Sequence, residues 1–352
     1  MKQNQSIMLG NTPLADYVIV FAKEGTGSDP NIQAAKYTDT VAVFVSMLEN
    51  QFGITLPTHL DGEETPLDKP YILFGHTTIT QNNPLYTNDF LASGFDSYAV
   101  DLLENNNLAI AGNNAVSTLA AATAMVDAIK HSASLTLSGK ADLIRVGCIG
   151  DSITFGSGSD DPSMESYPVY LQRMLGYRYF VEKFGAPGHS LIKTDSASFL
   201  TCSLFPLAAA SRLDVAFVML GTNDCRSQKW ADSAYKDWTD PGREKAFLAD
   251  GQSLVDELKQ SNPNIQIIFA TCPTVPQDQW KGSDWTERLS KYGNPLIHTI
   301  ASRNQCDVID IFTYSQNHLE MFEGGDGLHL KNEKYEMLAR GFYELSKDII
   351  RK

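Results

Sequence analysis

Cysteine is scarce in this sequence, and its distribution argues against two kinds of site. The 352 residues include five cysteines, all of them after residue 140 and none in a CxxC pair. An odd number of cysteines without ligand spacing favours neither a disulfide framework nor a zinc site. We therefore expect no metal ion, and nothing in the sequence implies a cofactor.

Long apolar runs and basic residues are also lacking. No run of about 18 apolar residues occurs, which excludes a transmembrane helix, and MKQNQSIMLG at the start lacks the apolar segment of a signal peptide. We expect a cytoplasmic protein if Met1 is the native start, and a secreted one if an export signal was removed. The 28 Lys and Arg against 42 Asp and Glu give a net charge of −14. Such a charge disfavours nucleic acid and membrane surfaces as partners.

What is present is the composition of a soluble globular protein long enough for two domains. Residues 1–131 show strand and helix patterns in the order β-α-β-β-ββ-α, including a hairpin over residues 96–112 with an Asn-rich turn. The stretch 132–142, SASLTLSGKAD, is small and polar, so we predict a linker there. A second domain then covers residues 143–352.

This second domain alternates strands and helices. The predicted strands are 143–149, 178–184, 214–220, 264–271 and 306–312. The predicted helices are 165–175, 195–211, 243–260, 286–304 and 331–350. Such alternation predicts an α/β fold with a parallel sheet between layers of helices, and all strand C-termini then lie at one edge.

Ser152 follows the first strand of this domain in the segment IRVGCIGDSITFGSG. Open α/β sheets place their chemistry at the C-terminal ends of strands, so Ser152 is a candidate nucleophile. A serine hydroxyl needs an adjacent base. His329 can be that base, and Asp326 can hold its imidazole in the correct tautomer. Asn223, after the strand DVAFVML, can offer its amide to a developing oxyanion.

These segments carry a family resemblance. GDSIT, GTND and DGLH, in this order, resemble the signature blocks of the SGNH hydrolases, also called GDSL esterases. Gly188 in FGAPGHS fits a fourth block of that family. The resemblance covers about residues 142–352. It implies a three-layer flavodoxin-like domain and an oxyanion hole made by the backbone N–H groups of Ser152 and Gly188 with the Asn223 side chain.

The first part of the chain has a weaker resemblance. Phrases such as YILFGHT and LAIAG are similar to the small non-catalytic α/β domain found at the N-terminus of several bacterial carbohydrate-active enzymes. This resemblance implies that residues 1–131 form a smaller α/β domain without a catalytic role.

Aromatic residues in polar loops carry the substrate hypothesis. The four tryptophans follow strand ends in polar segments, and flat rings there suit the apolar face of a sugar; we predict substrate contacts for Trp230, Trp238, Trp280 and Trp285. His189, next to Gly188, is a further candidate for contacting substrate. These loops lack the Leu, Phe and Met runs of an acyl tunnel.

Together these features predict a serine esterase that removes short acyl groups, above all acetyl, from carbohydrate through an acyl-enzyme. Two alternatives stay open. One is a lysophospholipase or thioesterase of the same family, and the other is a non-catalytic carbohydrate-binding protein on the same scaffold. The expected partner is an acetylated saccharide or another short-chain ester. Which sugar carries the acetyl group, at which position, and the oligomeric state do not follow from the sequence.

Overall fold

The chain divides into two compact units, Met1–Leu143 and Ile144–Lys352. A computed structural model describes residues 7–25, 32–65, 68–226, 234–235, 237–276 and 284–351. Within these residues no helix is both long enough and apolar enough to cross a membrane.

The first unit is built around a mixed sheet. Its strands are β1 (Met8–Leu9), β2 (Thr12–Pro13), β3 (Val18–Phe21), β4 (Thr58–Leu60), β5 (Tyr71–Phe74), β6 (Ser97–Leu102), β7 (Leu108–Gly112) and β8 (Leu137–Lys140). Its helices are α1 (Tyr37–Phe52), α2 (Asn88–Ala92) and α3 (Ala115–Lys130), with a 3₁₀ turn at Leu14–Asp16. Among the described residues six strands join in the order β4-β3-β5-β7-β6-β8, and β1 pairs with β2. The central strands β3 and β5 are buried along their whole length, as their apolar runs require.

The predicted hairpin over residues 96–112 is confirmed, since β6 and β7 pair antiparallel with Leu102 opposite Leu108. The stretch predicted as a linker differs from the structure. Within it, β8 pairs antiparallel with β6, and its residues alternate between partly buried and exposed. A four-residue edge strand with the sequence LSGK is too short and polar for its alternation to be read from sequence.

The second unit is a parallel α/β fold. Its strands are β9 (Ile144–Gly150), β10 (Tyr179–Gly185), β11 (Val215–Met219), β12 (Gln266–Ala270) and β13 (Asp307–Ile309). Its helices are α4 (Ser152–Phe155), α5 (Tyr167–Leu175), α6 (Leu204–Ala210), α7 (Pro241–Ser261), α8 (Trp285–Arg288), α9 (Asn294–Asn304), α10 (Ile311–Gln316) and α11 (Lys334–Ser346). 3₁₀ turns lie at Phe199–Thr201 and Leu319–Phe322, and a π-helical segment lies at Leu289–Gly293 between α8 and α9.

The strand order of this sheet is β10-β9-β11-β12-β13, with every described pair parallel. Numbered within the unit, this is 2-1-3-4-5, the flavodoxin-like order, which confirms the predicted fold class. The chain runs first from β9 to the β10 edge and then reverses toward β13. Right-handed crossovers therefore put α5 on one face and α6, α7 and α9 on the other. The reversal point lies at the C-terminal ends of β9 and β11.

Several element boundaries in this unit differ from the predictions; the helix predicted over 286–304, for example, is divided into α8, a π-helical segment and α9. The helix predicted over 195–211 is a 3₁₀ turn followed by α6. The strand predicted over 306–312 stops at Ile309, and α10 begins two residues later. Asp310 causes this early stop, because its side chain accepts a hydrogen bond from Thr313 N and caps α10.

Candidate active site

Ser152 is the first residue of α4, directly beyond β9. Asp151 caps this short helix, because its Oδ1 accepts a hydrogen bond of 2.9 Å from Ile153 N. The helix begins close against the strand, and Gly150 allows this approach. A Cβ at Gly150 would lie 2.1 Å from Thr154 Oγ1 and 2.8 Å from Met219 O. The Gly-Asp-Ser order thus turns the chain sharply from strand to helix and places Ser152 at the strand end.

His329 joins Ser152 to Asp326. Its Nε2 lies 2.8 Å from Ser152 Oγ, and its Nδ1 lies 2.8 Å from Asp326 Oδ2. Asp326 Oδ1 also accepts the backbone N–H groups of Leu328 and His329, at 3.0 and 2.7 Å. These bonds close a tight turn that holds both side chains in one orientation. The three residues predicted as a catalytic triad are therefore within hydrogen-bonding distance in the required order.

The carboxylate of Asp326 is kept ionised by these contacts. Burial alone would raise its pKa, but the hydrogen bonds from His329 and Leu328 outweigh burial and leave the pKa below its usual value. An ionised carboxylate on Nδ1 can orient the imidazole and stabilise its protonated form.

Asn223 and Gly188 meet at the same edge of the sheet. Asn223 Nδ2 donates to His189 O at 3.1 Å and to Asp151 Oδ2 at 3.3 Å. Gly188 precedes His189 and has φ +76°, a left-handed conformation that favours glycine. Among the described residues, the backbone N–H groups of Ser152 and Gly188 have no hydrogen-bond acceptor. Both groups are thus available to a bound oxyanion.

Two buried carboxylates flank these donors. Burial raises the pKa of Asp151 to about 6. Burial, and next the charge of Asp195, raise the pKa of Asp224 to about 7. From the sequence both aspartates resemble turn residues that accept nearby backbone N–H groups. Asp151 does so, but Asp224 binds backbone more than 30 residues away, at Leu191 and Ile192. No local pattern signals that contact.

Arg243 is a second feature that the sequence does not reveal. It lies in the first turn of α7 and is completely buried, and its guanidinium binds both carboxylate oxygens of Asp195 at 3.0–3.1 Å. Arginine is almost never fully buried unless it is paired. Its partner lies 48 residues away along the chain, so sequence spacing gives no indication of the pair.

The two tryptophans that the structure describes, Trp238 and Trp285, are buried, contrary to the exposure expected from their polar neighbours. Trp285 is 2% exposed, and its Nε1 donates to Thr222 O at 2.9 Å. Trp238 is 8% exposed, its ring stacks on that of Tyr292, and Arg243 Cζ lies 5.1 Å from its ring centroid. Neither ring offers a face to a sugar, because tertiary packing covers it. Trp230 and Trp280 lie outside the described residues.

His189 is half-buried, with Nδ1 2.9 Å from Pro187 O. Its backbone carbonyl contacts Asn223, so it lies beside the site, and its contact with substrate stays a prediction. Across the described ranges, no group of three or more His, Cys, Asp or Glu side chains is arranged to hold a metal ion.

Comparison with known proteins places this site in a family. Residues 148–337 match the GDSL-like lipase/acylhydrolase family. Over 91 residues, 26% of this chain, the sequence is 37% identical to an acetylxylan esterase from Xylanibacter ruminicola. The matched segment spans only 19% of that relative's length.

Solved structures with a similar fold include two bacterial enzymes. A carbohydrate acetylesterase from Sinorhizobium meliloti is 19% identical with a TM-score of 0.42, over 59% of this chain and 100% of that chain. A lipase/acylhydrolase from Enterococcus faecalis is 18% identical with a TM-score of 0.43, over 59% and 98%. The family match covers more than half of the 352 residues and confirms the predicted resemblance. The chain therefore belongs to the GDSL-like lipase/acylhydrolase family of ester hydrolases.

Proposed function

We propose that the protein is a serine esterase that removes short acyl groups, above all acetyl, from carbohydrate. The observation that carries the proposal is the pair of 2.8 Å contacts that joins Ser152 to His329 and His329 to Asp326. A nucleophile, a base and a group that orients the base are the components of acyl transfer through a covalent intermediate.

In the first half of the reaction Ser152 Oγ attacks the ester carbonyl while His329 Nε2 takes the hydroxyl proton. The Ser152 and Gly188 N–H groups and the Asn223 amide bind the oxyanion. His329 then returns the proton to the leaving sugar oxygen as the ester C–O bond breaks, and the acyl group stays on Ser152. In the second half His329 takes a proton from the water that attacks this acyl-enzyme, and returns it to Ser152 Oγ as the acid is released. Loss of one oxyanion donor typically costs about 2.7–4 kcal/mol of barrier.

Asn223 has a competing set of contacts in this scheme. Both hydrogens of its amide are directed to acceptors in the free protein, His189 O at 3.1 Å and Asp151 Oδ2 at 3.3 Å. The longer contact is the weaker one, so an oxyanion takes the hydrogen directed to Asp151 while the bond to His189 holds the amide in place.

The matched relative supports the choice of an acetyl group on a polysaccharide, because its printed name is acetylxylan esterase and its matched segment is 37% identical. The packing of Trp238 and Trp285 removes part of the aromatic argument for sugar. The substrate proposal therefore rests on this relative and on loop sequences that lack the Leu, Phe and Met runs of an acyl tunnel. The competing hypothesis for an enzyme is a lysophospholipase or thioesterase. A non-catalytic carbohydrate-binding protein is the third, although it leaves the contacts among Ser152, His329 and Asp326 without a role.

Ester hydrolysis by wild-type protein and by Ser152→Ala tests this proposal. Wild-type protein should cleave p-nitrophenyl acetate far faster than the octanoate, and Ser152→Ala should lose all but a trace of activity with an unchanged melting temperature. Ser163→Ala is the matched control, because the Ser163 hydroxyl donates to Asp161 in a neighbouring loop. A preference for octanoate would favour the hypothesis of a lysophospholipase or thioesterase. Acetate release from acetylated xylan, mannan, pectin and sialic acid would then identify the substrate.

A further inference from the structure

The loop that carries Gly188 is fastened to the end of β11 by the carboxylate of Asp224. Both of its oxygens accept from Leu191 N, at 3.1 and 2.9 Å, and Oδ1 also accepts from Ile192 N at 3.0 Å. Asp224 is completely buried. Losing these bonds is costly in a buried site, because each freed N–H group is then left without a partner.

The neighbouring residue holds the same loop from the other side. Asn223 Nδ2 donates to His189 O at 3.1 Å. Two consecutive residues after β11 therefore bind His189, Leu191 and Ile192, the segment directly after Gly188. With the backbone fixed at these points, the peptide that carries the Gly188 N–H has little freedom to rotate.

We call the contacts of Asn223 and Asp224 with His189, Leu191 and Ile192 the clamp. Arg243 fixes the backbone of Asp224 in turn. Arg243 Nη2 donates to Asp224 O at 2.7 Å and to Asp195 Oδ2 at 3.0 Å. Asp195 lies at the far end of the same loop, and the Arg243 and Asp195 side chains are both 0% exposed. One guanidinium on α7 thus joins the β11 end to the end of the Gly188 loop.

We infer that Asp224 is a positioning residue for the oxyanion hole, holding the Gly188 N–H and the Asn223 amide at a fixed separation. The inference rests on the proposed function, in which these two groups bind the oxyanion. Donors act on a transition state only when they are already in place, and a displacement of about 1 Å can cost about 100-fold in rate. Substrate binding in the ground state depends much less on these donors.

The test compares kcat and KM for p-nitrophenyl acetate in wild-type protein and Asp224→Asn. Asparagine has a similar shape but only one acceptor oxygen, and it turns an N–H toward the Leu191 N–H. We expect kcat to fall about 10- to 100-fold while KM stays within about 2-fold. Both acylation and deacylation form an oxyanion, so the loss appears whichever step limits the rate.

Asp250→Asn is the matched control. Asp250 on α7 accepts from Lys193 N at 2.8 Å, so it holds the same loop one residue beyond the clamp. We expect kcat within about 2-fold of wild type. An equal loss in both variants would mean that general loop stability matters, and would overturn the specific role of Asp224. Normal kcat in Asp224→Asn would overturn it directly.

Hydrogen exchange of the wild-type protein tests the clamp if Asp224→Asn does not fold. The Leu191 and Ile192 amides should exchange as slowly as amides of β9, because both donate to a buried carboxylate. Complete exchange of these two amides within seconds in folded protein would show that the clamp does not form. If the proposed function itself is wrong, the result differs from both of these outcomes, because wild-type protein would then hydrolyse no ester at all.

Discussion

At the scale of single residues, the site holds two carboxyl groups whose pKa values are shifted in opposite directions. Asp326 receives three hydrogen bonds in a partly exposed turn, and its pKa lies below the usual value. Asp151 is buried beside Ser152, and burial raises its pKa to about 6. When two carboxyl groups of one site have pKa values shifted in opposite directions, they usually have different roles. Asp326 is the permanently charged partner of His329, whereas Asp151 supports the backbone and the Asn223 amide.

Asp326→Asn should abolish most activity without unfolding the protein. The remaining oxygen can still accept from Leu328 and His329 N–H groups, but an amide N–H now faces His329 Nδ1. This favours the tautomer with hydrogen on Nε2, which cannot take the Ser152 proton. In a serine protease the equivalent change lowers kcat by about 10⁴, and we expect a loss of similar order, measured as kcat/KM.

Asp160→Asn is the control for this change. Asp160 is an exposed aspartate that pairs with Lys331 and Asn332, the second and third residues after His329. It should leave kcat/KM within about 2-fold of wild type. A near-normal rate in Asp326→Asn would show instead that another group orients His329.

Asp151→Asn should change how stability depends on pH. The folded pKa of about 6 lies above the unfolded value of about 3.9, so the neutral carboxyl is favoured by folding. Its contribution is fully present below about pH 3.9 and is lost as pH rises through about 6. The wild-type free energy of unfolding should therefore fall relative to Asp151→Asn by about 2 kcal/mol between pH 4 and 7, at about 1.4 kcal/mol per pKa unit.

Urea unfolding of both proteins at pH 4, 5, 6 and 7 measures this difference. Asp224 also has a raised pKa, but it is present in both proteins and cancels in the comparison. A difference that does not change with pH would mean that Asp151 titrates at its ordinary pKa despite its burial.

At the scale of elements, a buried lysine supports the helix that begins with Ser152. Lys183 in β10 is 5% exposed, and its Nζ donates to Phe155 O at 3.0 Å, Pro162 O at 2.7 Å and Ser166 Oγ at 3.3 Å. Phe155 is the last residue of α4, where helix carbonyls lack intrahelical partners and a cation is favourable. Lys183 thus joins the end of α4 to the loop that follows it.

Lys183→Met should destabilise the protein, because methionine has a similar length but no donor. Each buried acceptor left without a partner costs about 1–3 kcal/mol, so we expect a loss of at least about 2 kcal/mol in the free energy of unfolding. Lys193→Met is the control, since that side chain is 44% exposed and its Nζ is 3.9 Å from Asp250. Equal stability of the two variants in urea would show that the removed buried charge offsets the lost bonds.

The elements also differ in how well they can be predicted from the sequence. Strands such as β9, β11 and β12 are predictable because they are mostly apolar runs, and Ser152 and Asn223 are predictable because small polar motifs follow such runs. His329 is predictable from the DGLH motif. The clamp of Asp224 on Leu191 is not, since a hydrogen bond between distant segments leaves no periodic pattern. Trp285 is the opposite case: its polar neighbours suggest exposure, but Thr222 O, 63 residues away, binds its Nε1 in the core.

At the scale of the whole molecule, the site residues all belong to one unit. Ser152, Gly188, Asn223, Asp326 and His329 lie within Ile144–Lys352, and so do the partners of each hydrogen bond described for them. We propose that this unit is a self-sufficient catalytic domain and that Met1–Leu143 forms a non-catalytic one. The boundary falls after β8, later than the linker predicted from composition.

A fragment of residues 144–352 should therefore fold and hydrolyse p-nitrophenyl acetate with a kcat within a few-fold of the full chain. The physical reason is that its parallel sheet, the helices on both faces and every bond among Ser152, His329 and Asp326 are internal to the fragment. Circular dichroism and a cooperative thermal transition establish that the fragment is folded, and Ser152→Ala in the same fragment sets the background rate. A folded but inactive fragment would show that the first unit helps to build the site. Full activity toward p-nitrophenyl acetate with a loss confined to acetylated polysaccharide would instead assign the first unit to substrate recognition, because only the large substrate extends beyond the ester that Ser152 attacks.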